Sequence, residues 1–271
     1  MPNLAQWTDP RLVTQKPDAV WMTVISVSNP KQQGKNFQGF LQLVNQAFQQ
    51  GSIRQLIIVT TGYLQRHYFS LGLAEPLSEA ALEQKAQQLD QQWLDQHQPW
   101  LEQLKVPVAI KRWQEVLNSE PRQAFDDFAG QLKQRYQTHT RFRKYVDQHA
   151  EHYVQRKMEA YVANGTQRVS VEEFKRVALD YILEELAAYV QLKQCGADLF
   201  TYPGAMNVPA QHMIKYLFKG NSLPYVPYQL VEQPVRPSPL AVGLFQATSS
   251  PNRLPLPETT AVNNQVYRRS A

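Results

Sequence analysis

The chain has 271 residues, enough for one large α/β domain or two small ones; 43% of them are hydrophobic, which supports a real core, and the formal net charge is +5. Its one cysteine, Cys195, excludes an internal disulfide, and no apolar run approaches the length that spans a bilayer. The N-terminus lacks a basic start followed by an apolar run, so a cytoplasmic location is expected; the mild excess of positive charge admits a polyanionic partner such as RNA.

Residues 19–27 read as a buried strand and residues 28–35 as a polar loop. Phe37, Phe40, Leu41, Val44 and Phe48 then recur at helical spacing. A second buried strand at 55–61 is again followed by a helical pattern. This alternation predicts a Rossmann-like parallel sheet flanked by helices. Residues 78–105 predict a long glutamine-rich helix, capped by Ser78 and interrupted near Pro99. A third strand is expected at 106–113, one or two helices at 121–162, a further strand at 197–202, a short helix at 209–218 and a last strand at 225–231. From Pro234 onward prolines recur with few core residues between them. One folded domain is therefore expected over 1–233, with a mobile or extended tail over 234–271.

Residues 171–192 carry the most informative pattern. Val171, Phe174, Ala178, Tyr181, Glu185, Ala188 and Leu192 follow the spacing of one helix face. Glu185 does not suit a core, because a buried carboxylate costs several kcal/mol unless it is paired or hydrogen-bonded. Tyr181 precedes it by one turn, so phenol and carboxylate share a space in which they can hold a cation such as an ammonium. A helix rotated slightly would bury Phe174, Val177, Ala178, Ile182 and Tyr189 instead, and leave Glu185 at the border beside Glu184.

Ligands of parallel sheets bind beyond the carboxyl ends of the strands. Ser28 stands at such an end, with Ser26 two residues before it, and Tyr202 ends a later strand just before Pro203. Loop serines also cap helices and close turns, and a tyrosine at a strand end also packs at a sheet edge. The G-x-S-x-G elbow of serine hydrolases is absent. His149 and His152 lie on a polar helix, Cys195 has no cysteine partner, and neither G-x-G-x-x-G nor a P-loop occurs. No metal and no cofactor are expected.

Ser26-Val27-Ser28, Tyr181 with Glu185 four residues on, and Tyr202-Pro203 together resemble the signature of the tRNA-dependent cyclodipeptide synthases. The resemblance covers about residues 19–228 in element order. Lys31 and Pro203 stand where one subgroup of that family has asparagine and histidine, so the chain resembles the other subgroup, in which proline follows the tyrosine. Ser26 replaces a glycine common in the family. The resemblance implies the fold of class I aminoacyl-tRNA synthetase catalytic domains. The HIGH and KMSKS signatures of those enzymes are missing, as suits a substrate already activated on tRNA.

The resemblance further implies an aminoacyltransferase that joins two aminoacyl-tRNA substrates into a diketopiperazine through an aminoacyl-enzyme on Ser28. Ser28, Tyr181, Glu185 and Tyr202 would be catalytic. Ser26, Lys31, Val24, Val59 and Phe200 would contact the substrate. The helix at 78–105 is not basic here, unlike its counterpart in many relatives. The densest basic run is Lys133, Arg135, Arg141, Arg143 and Lys144, with Arg156 and Lys157 beyond; it is the expected RNA contact, although solvated helix faces also look like this. Two other readings stay open: a serine esterase or transacylase, and a non-catalytic tRNA-binding relative.

Overall fold

The computed structural model describes residues 4–73, 75–163, 169–218 and 222–231; side chains are described for these except Leu4 and residues 156–163. The proline-rich segment 234–271 lies outside the described residues, as do the side chains of Arg156 and Lys157. The strands are β1 (Leu4–Trp7), β2 (Ala19–Ile25), β3 (Ile53–Thr60), β4 (Val108–Arg112), β5 (Leu199–Pro203) and β6 (Tyr225–Val231). The helices are α1 (Pro10–Thr14), α2 (Gly34–Gln49), α3 (Arg66–Phe69), α4 (Glu79–Leu101), α5 (Trp113–Leu117), α6 (Arg122–Thr138), α7 (Thr140–Ala163), α8 (Val171–Ala187), α9 (Tyr189–Gln194) and α10 (Val208–Tyr216).

The strands form one sheet in the order β1-β6-β5-β2-β3-β4. β2 pairs in parallel with β3 on one side and with β5 on the other. β4 and β6 extend the parallel set outward. The chain thus builds away from β2 in both directions, which places a topological switch point between β2 and β5. The sheet is not wholly parallel. β1, which hydropathy did not single out, pairs antiparallel with β6 at the edge. A short return through α1 is enough to reverse the direction.

Every residue of β2 is buried, because helices cover both of its faces. Val20, Met22 and Val24 point into one core, with Ile57 and Val59 of β3 and side chains of α5 to α10. Trp21 and Ile25 point into the other, with Phe37, Phe40 and Val44 of α2, Trp93 of α4 and Tyr228 of β6.

Three local expectations change. Pro99 does not interrupt α4, which runs on to Leu101; near the end of a helix a proline removes one backbone donor without ending the turn. The stripe predicted through Leu192 breaks at Ala188 into α8 and α9. Its first residue, Val171, is 52% exposed, so the buried face starts at Phe174. Ser170, whose hydroxyl accepts the backbone N–H of Glu173, caps α8 just before that face begins.

Candidate active site

β2 ends at Ile25, earlier than predicted, and Ser28 lies in the turn that follows. The N–H of Asn29 donates to the carbonyl of Ser26 at 2.9 Å, which closes a four-residue turn with Ser28 inside it. Gln32, fully buried, anchors that turn. Its amide nitrogen donates to the carbonyl of Val24 at 2.7 Å, and its amide oxygen accepts the N–H of Ser26 at 2.9 Å. The indole of Trp93 donates to the carbonyl of Gln32. His97 Nε2 accepts the N–H of Gly34. The exposed Ser28 is therefore carried on a backbone whose base is hydrogen-bonded to α4.

Beyond the carboxyl ends of β2 and β5 lies a cavity of about 610 Å³. Ser28, Tyr181, Glu185 and Tyr202 all line it, as do Ser26, Lys31, Val24 and Phe200. Three segments far apart in the chain meet there because the switch point opens between β2 and β5. Val59 does not line the cavity; it is fully buried in the β3 core below. α7 adds His149 and Tyr153, α5 adds Trp113, and α9 and α10 add Tyr189, Leu192, Ala210, Met213 and Ile214.

Tyr202 and Phe200 occupy the same face of β5, with rings stacked at 6.3 Å. Asn29 Nδ2 donates to the Tyr202 hydroxyl at 3.2 Å, which ties the serine turn to the β5 tip. β5 runs on through Pro203 and leaves the sheet at Gly204, whose φ of 91° suits glycine.

Tyr181 is 4% exposed, and the amide of Gln65 reaches its hydroxyl at 3.5 Å. Its ring lies 5.1 Å from Tyr153 and 5.5 Å from Tyr68. Burial, followed by the fields of Tyr153 and Glu185, pushes the Tyr181 phenol well above its ordinary value. Burial also pushes Glu185 up to about 7. Glu185 keeps some accessible surface and lines the cavity. The carboxyl can therefore exchange a proton near neutrality.

The neighbouring Glu184 points elsewhere. Arg66 holds it bidentately, at 2.7 and 2.5 Å, His67 Nε2 lies 3.0 Å away and the Trp113 indole donates at 3.1 Å. This network backs the cavity wall, since Trp113 and Glu185 both line it.

Gln32, Asn29, Tyr153 and Trp113 were not singled out from the sequence. Gln32 and Asn29 are ordinary loop residues until their partners are known, and Tyr153 and Trp113 reach the site only through helix packing. The predicted basic run divides in space. Arg141 lies beside Tyr145 and the end of α10, whereas the field of Arg143 acts on Tyr136. Lys133 and Lys144 are exposed and Arg135 is half-buried. Among the described residues no group of three or more His, Cys, Asp or Glu is arranged to hold a metal, and no helix is long and apolar enough to cross a membrane.

No protein-family model and no curated protein matches this chain. Solved structures do. The chain is similar to a CDPS from Fluoribacter dumoffii, with a TM-score of 0.71 and 22% identity over 85% of this chain and 99% of that one. It is similar to the cyclodipeptide synthase from Candidatus Glomeribacter gigasporarum bound to Phe-tRNAPhe, with a TM-score of 0.67 and 22% identity over 91% of this chain and 100% of the other. A Mycobacterium tuberculosis protein, described as demonstrating that cyclodipeptide synthetases are related to type I tRNA-synthetases, matches with a TM-score of 0.52 and 12% identity, over 86% of this chain and 97% of that one. The likeness is one of fold: a helix-flanked, mainly parallel sheet of the kind found in cyclodipeptide synthases.

Proposed function

We propose that this protein is a cyclodipeptide synthase of the subgroup in which proline follows the late-strand tyrosine. It would use two aminoacyl-tRNAs and form a diketopiperazine by ping-pong acyl transfer through Ser28. The observation that carries this reading is the meeting of Ser28, Tyr181, Glu185 and Tyr202 around one cavity at the sheet's switch point. The fold likeness supports it, and the tRNA bound to the Glomeribacter relative supports the substrate class.

In the first step the Ser28 hydroxyl attacks the ester carbonyl of one aminoacyl-tRNA. The ester C–O bond breaks, the ribose oxygen takes a proton, and an aminoacyl-serine ester remains. The amine of this tethered group then attacks the ester carbonyl of a second aminoacyl-tRNA. A peptide bond forms, the second tRNA leaves, and a dipeptidyl-enzyme results. Its free amine attacks the serine ester, releasing Ser28 and closing the ring. Both new amide bonds replace esters, so the sequence needs no ATP.

Each attacking amine must lose a proton, and Glu185, with its carboxyl near 7, is suited to take it. In its ionised form Glu185 holds the α-ammonium beside the Tyr181 phenol. The Tyr202 hydroxyl, positioned by Asn29 across the serine turn, hydrogen-bonds the reacting centre. Ser26, Lys31, Val24 and Phe200 contact the aminoacyl groups. Lys133, Arg135, Arg141, Arg143 and Lys144 supply positive charge to the tRNA.

Intact-mass measurement after mixing the protein with charged tRNA tests this. A gain of one aminoacyl residue, lost in Ser28→Ala, is expected. Hydrolysis of simple esters without tRNA would replace this reading with an esterase, and tRNA binding without any adduct would replace it with a non-catalytic binder.

A further inference from the structure

α10 separates two environments. Ala210, Met213 and Ile214 face the cavity. On its other side His212 is 6% exposed, inside a ring of aromatic and basic groups from three elements. The His212 ring lies 5.4 Å from His139, 5.5 Å from Phe142, 5.6 Å from Tyr145 and 4.5 Å from Tyr216. Arg135 of α6 directs a terminal nitrogen to His212 Nε2 at 3.4 Å. Its own Nε is buried and has no hydrogen-bond partner. Arg141 of α7 donates to the Tyr145 hydroxyl at 2.8 Å, and the Lys215 ammonium lies 5.2 Å from the Tyr216 ring.

Burial, and then the fields of Arg135, His139, Arg141 and Lys215, hold the His212 imidazole below its ordinary value. The charges acting most strongly at this spot are therefore of one sign. Among the described residues none of Arg135, Arg141 and Lys215 forms an ion pair with a carboxylate. Arg135, Arg141 and Lys215 therefore lack a carboxylate counter-charge, and a docked anion supplies it. Next to them the large ring of Tyr216 is 43% exposed. Cations beside an exposed aromatic side chain match a single-stranded nucleic acid, whose phosphates pair with the cations while a base stacks on the ring.

We propose that the surface where α6, α7 and α10 meet binds the single-stranded end of an RNA, with Arg135, Arg141 and Lys215 on phosphate and Tyr216 stacked on a base. The inference rests on the reading that aminoacyl-tRNA is the substrate, and it selects, from the long basic run, the part beside the wall of the cavity. It adds Lys215 and Tyr216, which lie some seventy residues beyond the run.

The test measures fluorescence anisotropy of a short labelled single-stranded RNA and of uncharged tRNA, with Ser28→Ala as the parent protein, between about 50 and 200 mM salt. Arg141→Glu and Lys215→Glu change exposed side chains, so folding, checked by circular dichroism, is expected to persist. Each is expected to weaken binding roughly tenfold at the lower salt and to flatten the log K against log salt slope by about 0.7. Tyr216→Ala is expected to weaken binding about fivefold or more with the slope unchanged. Unaltered affinity in both charge variants overturns the proposal. So does an acidic peptide that competes as well as the RNA does, which would assign the patch to a protein partner. The aminoacyl adduct on the otherwise native chain is read separately: adduct formation with an inert patch rejects only this inference, while RNA binding at the patch without any adduct rejects the catalytic reading.

Discussion

Glu184 and Glu185 are adjacent on α8 and are driven in opposite directions. Burial raises both, but at Glu184 the hydrogen bonds from His67 and Arg66 more than reverse it and leave the carboxyl at about 2. At Glu185 burial acts alone and the value rises to about 7. One residue of helix rotation, about 100°, separates a locked carboxylate from a titrating one.

The sign of the Glu185 effect makes a stability prediction. Between its unfolded value near 4.5 and its folded value near 7, the unfolded chain releases this proton and the folded chain keeps it. Stability therefore falls as pH rises through that window, by up to about 3 kcal/mol. Glu185→Gln removes the penalty. The variant is expected to match the parent near pH 4, to exceed it in urea unfolding at pH 8, and to lose product formation. An unfolding difference that does not change with pH would refute this account.

Glu184 behaves in the reverse way. Its stabilising contribution is present above its unfolded value and lost as pH falls toward 2. Arg66→Met removes the bidentate partner and leaves a buried carboxylate with His67 and the Trp113 indole. A loss of about 3–5 kcal/mol at pH 7 is expected, shrinking as the solution is acidified and Glu184 protonates. Chemical denaturation at pH 7 and pH 4 measures both parts.

Gln32 is a positioning residue. Gln32→Met keeps the length of the side chain and removes both hydrogen bonds to the Val24 and Ser26 backbone. Each orphaned group costs about 1–3 kcal/mol. A merely structural role would lower stability alone. Positioning of Ser28 predicts in addition a slower single-turnover aminoacylation of Ser28 at temperatures where the variant stays folded, with tRNA affinity unchanged.

Gly62 lies between β3 and α3 and packs against α4. Its N–H donates to the buried Asp90 at 2.8 Å, and a Cβ there would stand 2.4 Å from the Ala86 carbonyl and 2.6 Å from Asp90 Oδ1. Its φ of −56° would suit any residue, so the constraint is space alone. Gly62→Ala is expected to lower stability by about 1–3 kcal/mol, because helix backbone has to move. Thermal unfolding checks this; an unchanged midpoint would mean that α4 shifts freely.

The order of strands and helices was legible in the sequence because burial on both faces makes β2 and β3 continuous apolar runs, and because α2 and α8 carry clear helical spacing. Glu185 stood out for the same reason: a charge on an apolar stripe is a local signal. Where α8 would stop was not legible, since Ala188 lies within an unbroken run of helix-compatible residues. β1 was missed because four residues have too little periodicity, and its pairing depends on β6, more than 200 residues away. The sequence by itself determined which groups had chemistry to offer: Ser28, Tyr181, Glu185 and Tyr202. Only the tertiary structure decided that they share a cavity, that Val59 stays outside it, that Glu184 is neutralised while Glu185 is not, and that Arg141 parts from Arg143 to face α10. The reason is physical. Periodicity reports which way a side chain points from its own element, whereas proximity across the switch point depends on how the sheet reverses its order and which helices close over it.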